Sequence, residues 1–264
     1  MSVTGRNRAL STHRPLSAPA HRFSREIALF LDVDGTLLEF ADTPDAVAPA
    51  AGLPALLRDM AQALGGALAL ISGRPVGELD RIFAPLHLPA AGQHGLEWRG
   101  ADGLLQETAR GPALDEIRAG LKDFAAQHEG ALLEDKGIAV ALHYRLAPGA
   151  ETEARGLVER LLADRDDLHC LAGKMVFEVK PRGVDKGVAI TRFMGAAPFG
   201  GRVPVFVGDD VTDEDGFRAV NDAGGISIRV GRQADSAAQF ALPDVTAVRE
   251  WLGAVLTQLK KDIL

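Results

Sequence analysis

The sequence predicts an α/β protein in which a parallel-sheet domain is interrupted by a smaller α+β unit, and three observations carry that prediction. From Ile27 to about residue 110, and again from residue 184 to the carboxyl end, short apolar runs alternate with segments of helical period. That alternation is the signature of strands joined by crossover helices. Between them, Gly111 to Gly183 follows another rhythm, a helix and two strand-like runs, twice over. Finally, the 264 residues are 47% apolar with a single cysteine, so a sizeable core forms without a disulfide framework or a cysteine zinc site. The expected organisation is a tail over 1–25, core over 26–110, inserted unit over 111–183 and core again over 184–264.

Taken in order, Met1 to Arg25 carries five arginines among Ser, Thr and Pro. It has neither the apolar centre of a secretory signal nor the amphipathic face of a transit peptide, and it reads as a disordered tail. Ile27 to Leu31 and Ala67 to Ile71 read as strands buried on both faces, continuous in apolarity for that reason. The helix between them is striped by Leu53, Leu56, Leu57, Met60 and Leu64, with Pro54 in its first turn and Gly65-Gly66 as its stop. A second helix follows around Leu79, Ile82 and Phe83.

In the middle region, Leu114, Ile117, Leu121 and Phe124 stripe a helix ahead of strand-like runs at Ala131 to Glu134 and Ile138 to His143. The unit recurs with Ala154, Leu157, Val158, Leu161 and Leu162 ahead of Leu168 to Leu171 and Met175 to Val179. Such a duplication favours a small sheet with helices on one face. Val203 to Val207 and Ile226 to Val230 return to buried strands. Pro204 restricts the first of these, because a proline is tolerated in a central strand only near its start. Val245, Val248, Trp251, Leu252, Val255 and Leu259 form the face of a closing helix, capped by Asp244 and ending in Lys260-Lys261.

A net charge of −7 argues against a nucleic-acid protein, whose affinity rests on a basic face. No window holds the roughly 18 apolar residues of a membrane span. The lone Cys170 reads as a small core residue, and a reducing cytoplasm is the expected location.

Chemistry concentrates at predicted strand ends. Phe30-Leu31-Asp32-Val33-Asp34-Gly35-Thr36 delivers two carboxylates at the carboxyl end of an apolar strand, where open α/β sheets place ligands. Side chains two apart share a face and repel unless a divalent cation relieves them, while Gly35 permits a tight turn and a close anion. The same residues also suit an Asx-rich turn with no chemistry. Ser72-Gly73-Arg74 offers a hydroxyl, a flexible backbone and a cation, all of which a phosphate would use. Gly208-Asp209-Asp210-Val211-Thr212-Asp213-Glu214 is an acidic cluster of hard oxygen ligands, which select magnesium over zinc. Asp185-Lys186-Gly187 opens a helix, with Asp185 as cap and Lys186 as a point charge for a phosphoryl oxygen.

Together, and in this order, Asp32-x-Asp34-Gly35-Thr36, Ser72, Lys186 and Asp209-Asp210 resemble the haloacid dehalogenase superfamily of phosphatases. The resemblance implies a Rossmann-like core, with Asp32 as the nucleophile that forms an aspartyl phosphate. It implies Asp34 as the acid that protonates the leaving oxygen and then the base that activates water. Ser72, Gly73, Arg74 and Lys186 would surround the phosphoryl group. Magnesium would be held by Asp32, the backbone carbonyl of Asp34 and Asp209, with Asp213 as a further ligand or a group behind one.

A closer resemblance, to the trehalose-6-phosphate phosphatases, extends from Ile27 to the carboxyl end. It is carried by Gly208-Asp209-Asp210-x-Thr212-Asp213-Glu214, Ser72-Gly73-Arg74, Gly92-Gln93-His94-Gly95-Leu96-Glu97, His143-Tyr144-Arg145 and Gly173-Lys174-Met175-Val176-Phe177-Glu178-Val179-Lys180-Pro181. Gln93 stands where the family commonly has Asn. The resemblance implies that the inserted unit is a cap, that the substrate is trehalose 6-phosphate, that the step completes trehalose biosynthesis, and that a trehalose-phosphate synthase is a candidate partner. Lys174, Glu178, His143, Arg145 and His94 would meet the sugar, whose neutral hydroxyls need many directed hydrogen bonds. His13, His21, His87, His128 and His169 show no metal-ligand spacing and read as structural or exposed. The alternatives are another sugar-phosphate phosphatase, a phosphohexomutase returning the phosphoryl group to a sugar, or a catalytically silent sugar-phosphate module. Neither a dinucleotide fingerprint nor a P-loop is present in the sequence.

Overall fold

The computed structural model describes residues 17–19, 23–39, 47–107, 112–135, 137, 139–173, 175–232 and 235–261. In chain order, β1 (Ile27–Leu31), α1 (Leu53–Ala63), β2 (Leu68–Ile71), α2 (Val76–Phe83), β3 (Ala90–Gly92), β4 (Glu97–Arg99) and β5 (Leu105–Glu107) come first. Then follow α3 (Pro112–Gln127), β6 (Leu132–Asp135), β7 (Val140–His143), α4 (Glu151–Leu162), β8 (Leu168–Gly173) and β9 (Val176–Pro181). The chain closes with α5 (Lys186–Met194), β10 (Val203–Gly208), α6 (Glu214–Asp222), β11 (Ile226–Val230), β12 (Phe240–Leu242) and α7 (Val245–Lys261).

The larger sheet runs β12-β11-β10-β1-β2-β3-β4-β5, parallel from β12 to β3 and antiparallel beyond. Its central strand β1 is buried along its whole length because helices cover both faces. Phe30, fully buried, packs against Phe193 of α5 and Phe199 at ring-centroid distances of 5.9 and 5.6 Å. Pro204 is the second residue of β10, and β11 begins to pair only at Val205, so its missing N–H interrupts no ladder bond to that neighbour. Asp244 caps α7 by accepting from the Ala247 N–H at 2.9 Å.

The smaller sheet is antiparallel, in the order β6-β7-β9-β8. It holds the helix-strand-strand duplication predicted from the sequence: α3-β6-β7 and α4-β8-β9 join through the β7–β9 pair. Its helix-facing residues, including Val140, Leu142, Phe177 and Val179, pack with Leu114, Ile117, Leu121 and Phe124 into a core separate from that of the large sheet.

Three features depart from expectation. Phe23, assigned to the tail, is 2% exposed and meets Trp251 of α7 edge-on at 5.4 Å, because the apolar face of α7 needs cover there; Ser17 also accepts a backbone hydrogen bond from Ala241. Strands β3, β4, β5 and β12 carry no sequence signal: each has three residues, and they are rich in alanine, charge or exposed side chains. The acidic segment read only as a loop continues into α6, whose buried Phe217 and Val220 are its sole apolar anchors on large side chains.

Candidate active site

Four loops meet at the carboxyl edge of the parallel strands. At the end of β1, Asp32 is buried and its backbone N–H donates to Val207, tying the loop to the end of β10. The chain then turns back on itself, with the Leu37 and Leu38 N–H groups donating to the Val33 carbonyl. Gly35 makes that turn at φ 78°, and a Cβ there would lie 2.1 Å from Asp209 Oδ2, so only glycine lets the second acidic loop close on the first.

Lys186, at the start of α5, is 3% exposed and donates from Nζ to Asp32 Oδ1 at 2.7 Å and to Asp213 Oδ1 at 2.6 Å. Asp185 fixes the helix start by accepting from the Val188 N–H at 2.8 Å. The other oxygen of Asp213 accepts the N–H groups of Asp209 and Asp210, both at 2.8 Å. Asp213 therefore braces the loop, and Gly208 makes room for it, since a Cβ there would lie 2.4 Å from its Cγ. Arg229 of β11 bonds the Asp209 carbonyl and pairs with Glu214 at 3.1 Å, locking the loop from behind.

Oxygen atoms of Asp32, Asp209 and Asp213 lie within 4.8 Å of one another. One lysine cannot balance three carboxylates. Burial, then the charge of Asp213, push the Asp32 carboxyl well above its ordinary range against the pull of Lys186. Burial and Asp213 likewise push Asp209 up to about 6. Lys186 is held above its own range: burial opposes its charge, but Asp32 and Asp213 outweigh that. Among the described residues no group meets the buried Asp209 Oδ1. An orphaned carboxylate oxygen beside two more carboxylates is a donor set that fits a hard divalent cation.

After β2, the Ser72 hydroxyl, 1% exposed, accepts the Arg74 N–H at 3.1 Å. Arg74 does not turn its fork toward the acidic centre. Its Nε and Nη2 donate to the two oxygens of Asp34 at 2.6 and 2.8 Å, and its Nη1 donates to Glu78 at 3.1 Å. The 3₁₀ turn Gln93–Gly95 braces this loop: the Gln93 N–H donates to the Arg74 carbonyl and the His94 N–H to that of Ser72. Buried Glu97 accepts from Gln93 Nε2 at 2.7 Å and from the Val76 N–H at 2.6 Å. His94 lies against Gly73, where a Cβ would come within 2.9 Å of its Nε2.

A cavity of about 390 Å³ opens beside Lys186 and His94 and is walled on the other side by the small sheet through His169, Leu171 and Lys180. His169, read as structural or exposed, lines it because register sets it opposite Lys180 on the open face. Lys180 is the further residue that sequence reasoning left unassigned. It is 3% exposed, and burial lowers its pKa despite Glu178, Asp185 and Asp215. Its sequence signals were its place in the Gly173–Pro181 motif and its alternation, one apolar residue apart from Glu178. Glu178 shares that face, opposite Ala141 and Leu171. His143 bonds Glu134 at 2.8 Å and Arg145 sits in the exposed turn after β7; neither lines the cavity. Lys174 lies outside the described residues.

Doubly wound sheets bind ligands beyond their strand ends. Here that edge combines a lysine-held aspartate with a cation-ready acidic cluster, facing a second, inserted sheet across the cavity. Residues 30–246 match the trehalose-phosphatase family, and the chain belongs to it. It is 45% identical over 230 residues to a probable trehalose-phosphate phosphatase of Sinorhizobium fredii (strain NBRC 101917 / NGR234), covering 86% of this chain and 87% of the relative. It is 43% identical over 239 residues to the trehalose-6-phosphate phosphatase of Escherichia coli (strain K12), covering 90% of each. The fold matches the C-terminal domain of the C. albicans trehalose-6-phosphate phosphatase with a TM-score of 0.75 at 20% identity, over 93% of this chain and 99% of that one. Among the described residues no helix is long and apolar enough to cross a membrane.

Proposed function

We propose that the chain hydrolyses trehalose 6-phosphate to trehalose and phosphate, with magnesium as its cofactor. The observation that carries this reading is the buried Lys186 bridge between Asp32 and Asp213 beside the orphaned Asp209 oxygen. It orients one carboxylate for attack and leaves another ready for a cation.

Asp32 attacks phosphorus, forming an acyl phosphate as the bond to the sugar oxygen breaks. Asp34 passes that oxygen its proton. Asp34 then takes a proton from water, which attacks the same phosphorus and releases Asp32 and inorganic phosphate. Lys186 and Ser72 hold the transferring oxygens. Asp32, the Asp34 carbonyl and Asp209 would hold magnesium, which supplies charge neutralisation at those oxygens. Asp213, which accepts from Lys186 and from the Asp209 and Asp210 N–H groups, supports the ligand loop as a further ligand or a group behind one. Glu178, with Lys180 beside it, and Lys174 recognise the sugar from the cap, and His94 approaches from the core side. His143 and Arg145 meet the sugar only with the cap in another position. A cytoplasmic site, shared with the synthase that supplies the substrate, suits this chemistry.

Phosphate release from trehalose 6-phosphate, glucose 6-phosphate, mannose 6-phosphate and an aryl phosphate, with and without magnesium, tests the reading. Strong preference for trehalose 6-phosphate, lost on chelation, is expected. Equal efficiency on the hexose phosphates, or phosphoryl transfer to a sugar, would overturn it.

A further inference from the structure

We propose that Arg74 is the positioning residue for the acid-base carboxylate Asp34 and does not bind the phosphate. The proposal rests on the reading of Asp34 given above. A phosphate-binding arginine presents its fork to the ligand. The Arg74 fork is instead spent on both oxygens of Asp34, at 2.6 and 2.8 Å, with a further N–H on Glu78 at 3.1 Å.

The backbone behind the fork is held just as firmly. The Arg74 N–H reaches the Ser72 hydroxyl, its carbonyl takes the Gln93 N–H, and Glu97 ties Gln93 to the start of α2. A carboxylate gripped at both oxygens by a planar fork cannot spin about its last bond, so its orientation toward the leaving oxygen is set before substrate arrives. As Asp34 gives up its proton to the sugar oxygen it becomes an anion, and the Arg74 charge is already beside it. Lysine at this position would supply charge without the fork.

The test separates kcat from KM for trehalose 6-phosphate, whose sugar leaves poorly, and for p-nitrophenyl phosphate, whose phenolate leaves unaided. Arg74→Ala is expected to lower kcat on trehalose 6-phosphate on the order of 100-fold. First-turnover release of p-nitrophenolate, which needs no acid, should suffer much less, with inhibition by inorganic phosphate little changed. Arg74→Lys should fail to restore the loss, and Glu78→Gln should show the same pattern more weakly. Melting curves on each variant report whether the loss is merely of folded protein. A rise in KM and in the phosphate inhibition constant, equal for both substrates and rescued by lysine, would overturn the proposal in favour of phosphate binding. Asp34→Asn run alongside keeps the two ideas apart. If it spares first-turnover release of phenolate while Arg74→Ala does not, only the Arg74 proposal fails; if it slows that release as much as the first turnover of trehalose 6-phosphate, the acid reading of Asp34 fails.

Discussion

The two sheets of this protein handle polar residues in opposite ways. In the parallel sheet, β1 is apolar on both faces, and the charged side chains wait until the strand has ended. Asp32, Asp209 and Lys186 accordingly sit in loops or at a helix start, where neither strand register nor face decides which way they point. In the cap, Phe177 and Val179 face the helices while Glu178 and Lys180 alternate with them on the open side. Which way they face depends on register, since a slip of one residue would turn them into the cap core and Phe177 toward the cavity. A site at strand ends is robust to sheet geometry. A site written into a strand is not.

The contrast predicts where damage spreads. Asp32→Asn should abolish turnover of sugar and aryl phosphates alike while leaving a folded protein, a loss on the order of 10⁶-fold for a nucleophile. A cap variant should never do this, and comparable aryl activity in Asp32→Asn and the native chain would erase the division of labour. Leu121→Ala empties a fully buried position in the cap core and should cost about 2–5 kcal/mol. Hydrogen exchange should then rise in β6 to β9 while β1 and β10 stay protected. Equal loss of protection in both sheets would show that they unfold as one unit.

Glu178→Ala sharpens the comparison at the level of substrate. Removing a charged hydrogen-bonding group should lower kcat/KM for trehalose 6-phosphate by about 10- to 150-fold. A small aryl phosphate, which has nothing to offer the cap, should be spared. An unchanged ratio of the two efficiencies would make Glu178 a structural strand residue.

The smallest expected effect is a pH dependence confined to the cap. His128 stacks on Phe124 at 3.9 Å, bonds the Phe124 carbonyl and reaches Glu153 of α4. The Phe124 carbonyl first, and Glu153 second, raise its pKa. The folded cap thus favours the charged imidazole. That contribution is fully present below the ordinary histidine value near about 6.5 and disappears as pH rises through the raised folded value. His128→Phe keeps the stack and removes the titration. The difference in melting temperature between native and variant chains should shrink from about pH 6 to pH 8, and a constant difference would remove the histidine from the account.

Much of this was legible in advance. Apolar runs around Ile27–Leu31 and Ile226–Val230 can satisfy their composition only inside a covered sheet, and Asp32-x-Asp34-Gly35-Thr36 at a strand end carries its chemistry in residues that are neighbours along the chain. Periodicity likewise reached the duplicated unit of the cap, because α3 and α4 each present a long apolar stripe. What lacked a local signal stayed hidden. Three-residue strands such as Ala90–Gly92 hold their place through neighbours on either side, and α6 has only Phe217 and Val220 as large buried apolar anchors, too short a stripe to stand out.

The sequence by itself determined the fold class, the duplicated cap and which carboxylates and lysine converge, since apolar periodicity and residues at strand ends need no distant partner to be read. Which partner each of those groups meets depends on packing between distant segments. Arg74 stands beside Ser72 in the sequence, and its fork closes on Asp34, 40 residues away. Asp213, in the acidic cluster, also braces the second acidic loop by accepting from Lys186 and from the Asp209 and Asp210 N–H groups. His169 and Lys180 became cavity walls through strand pairing. A side chain's chemistry is local, but its partner is whatever the packed chain brings within about 3 Å, and that distance is set by contacts far apart in sequence.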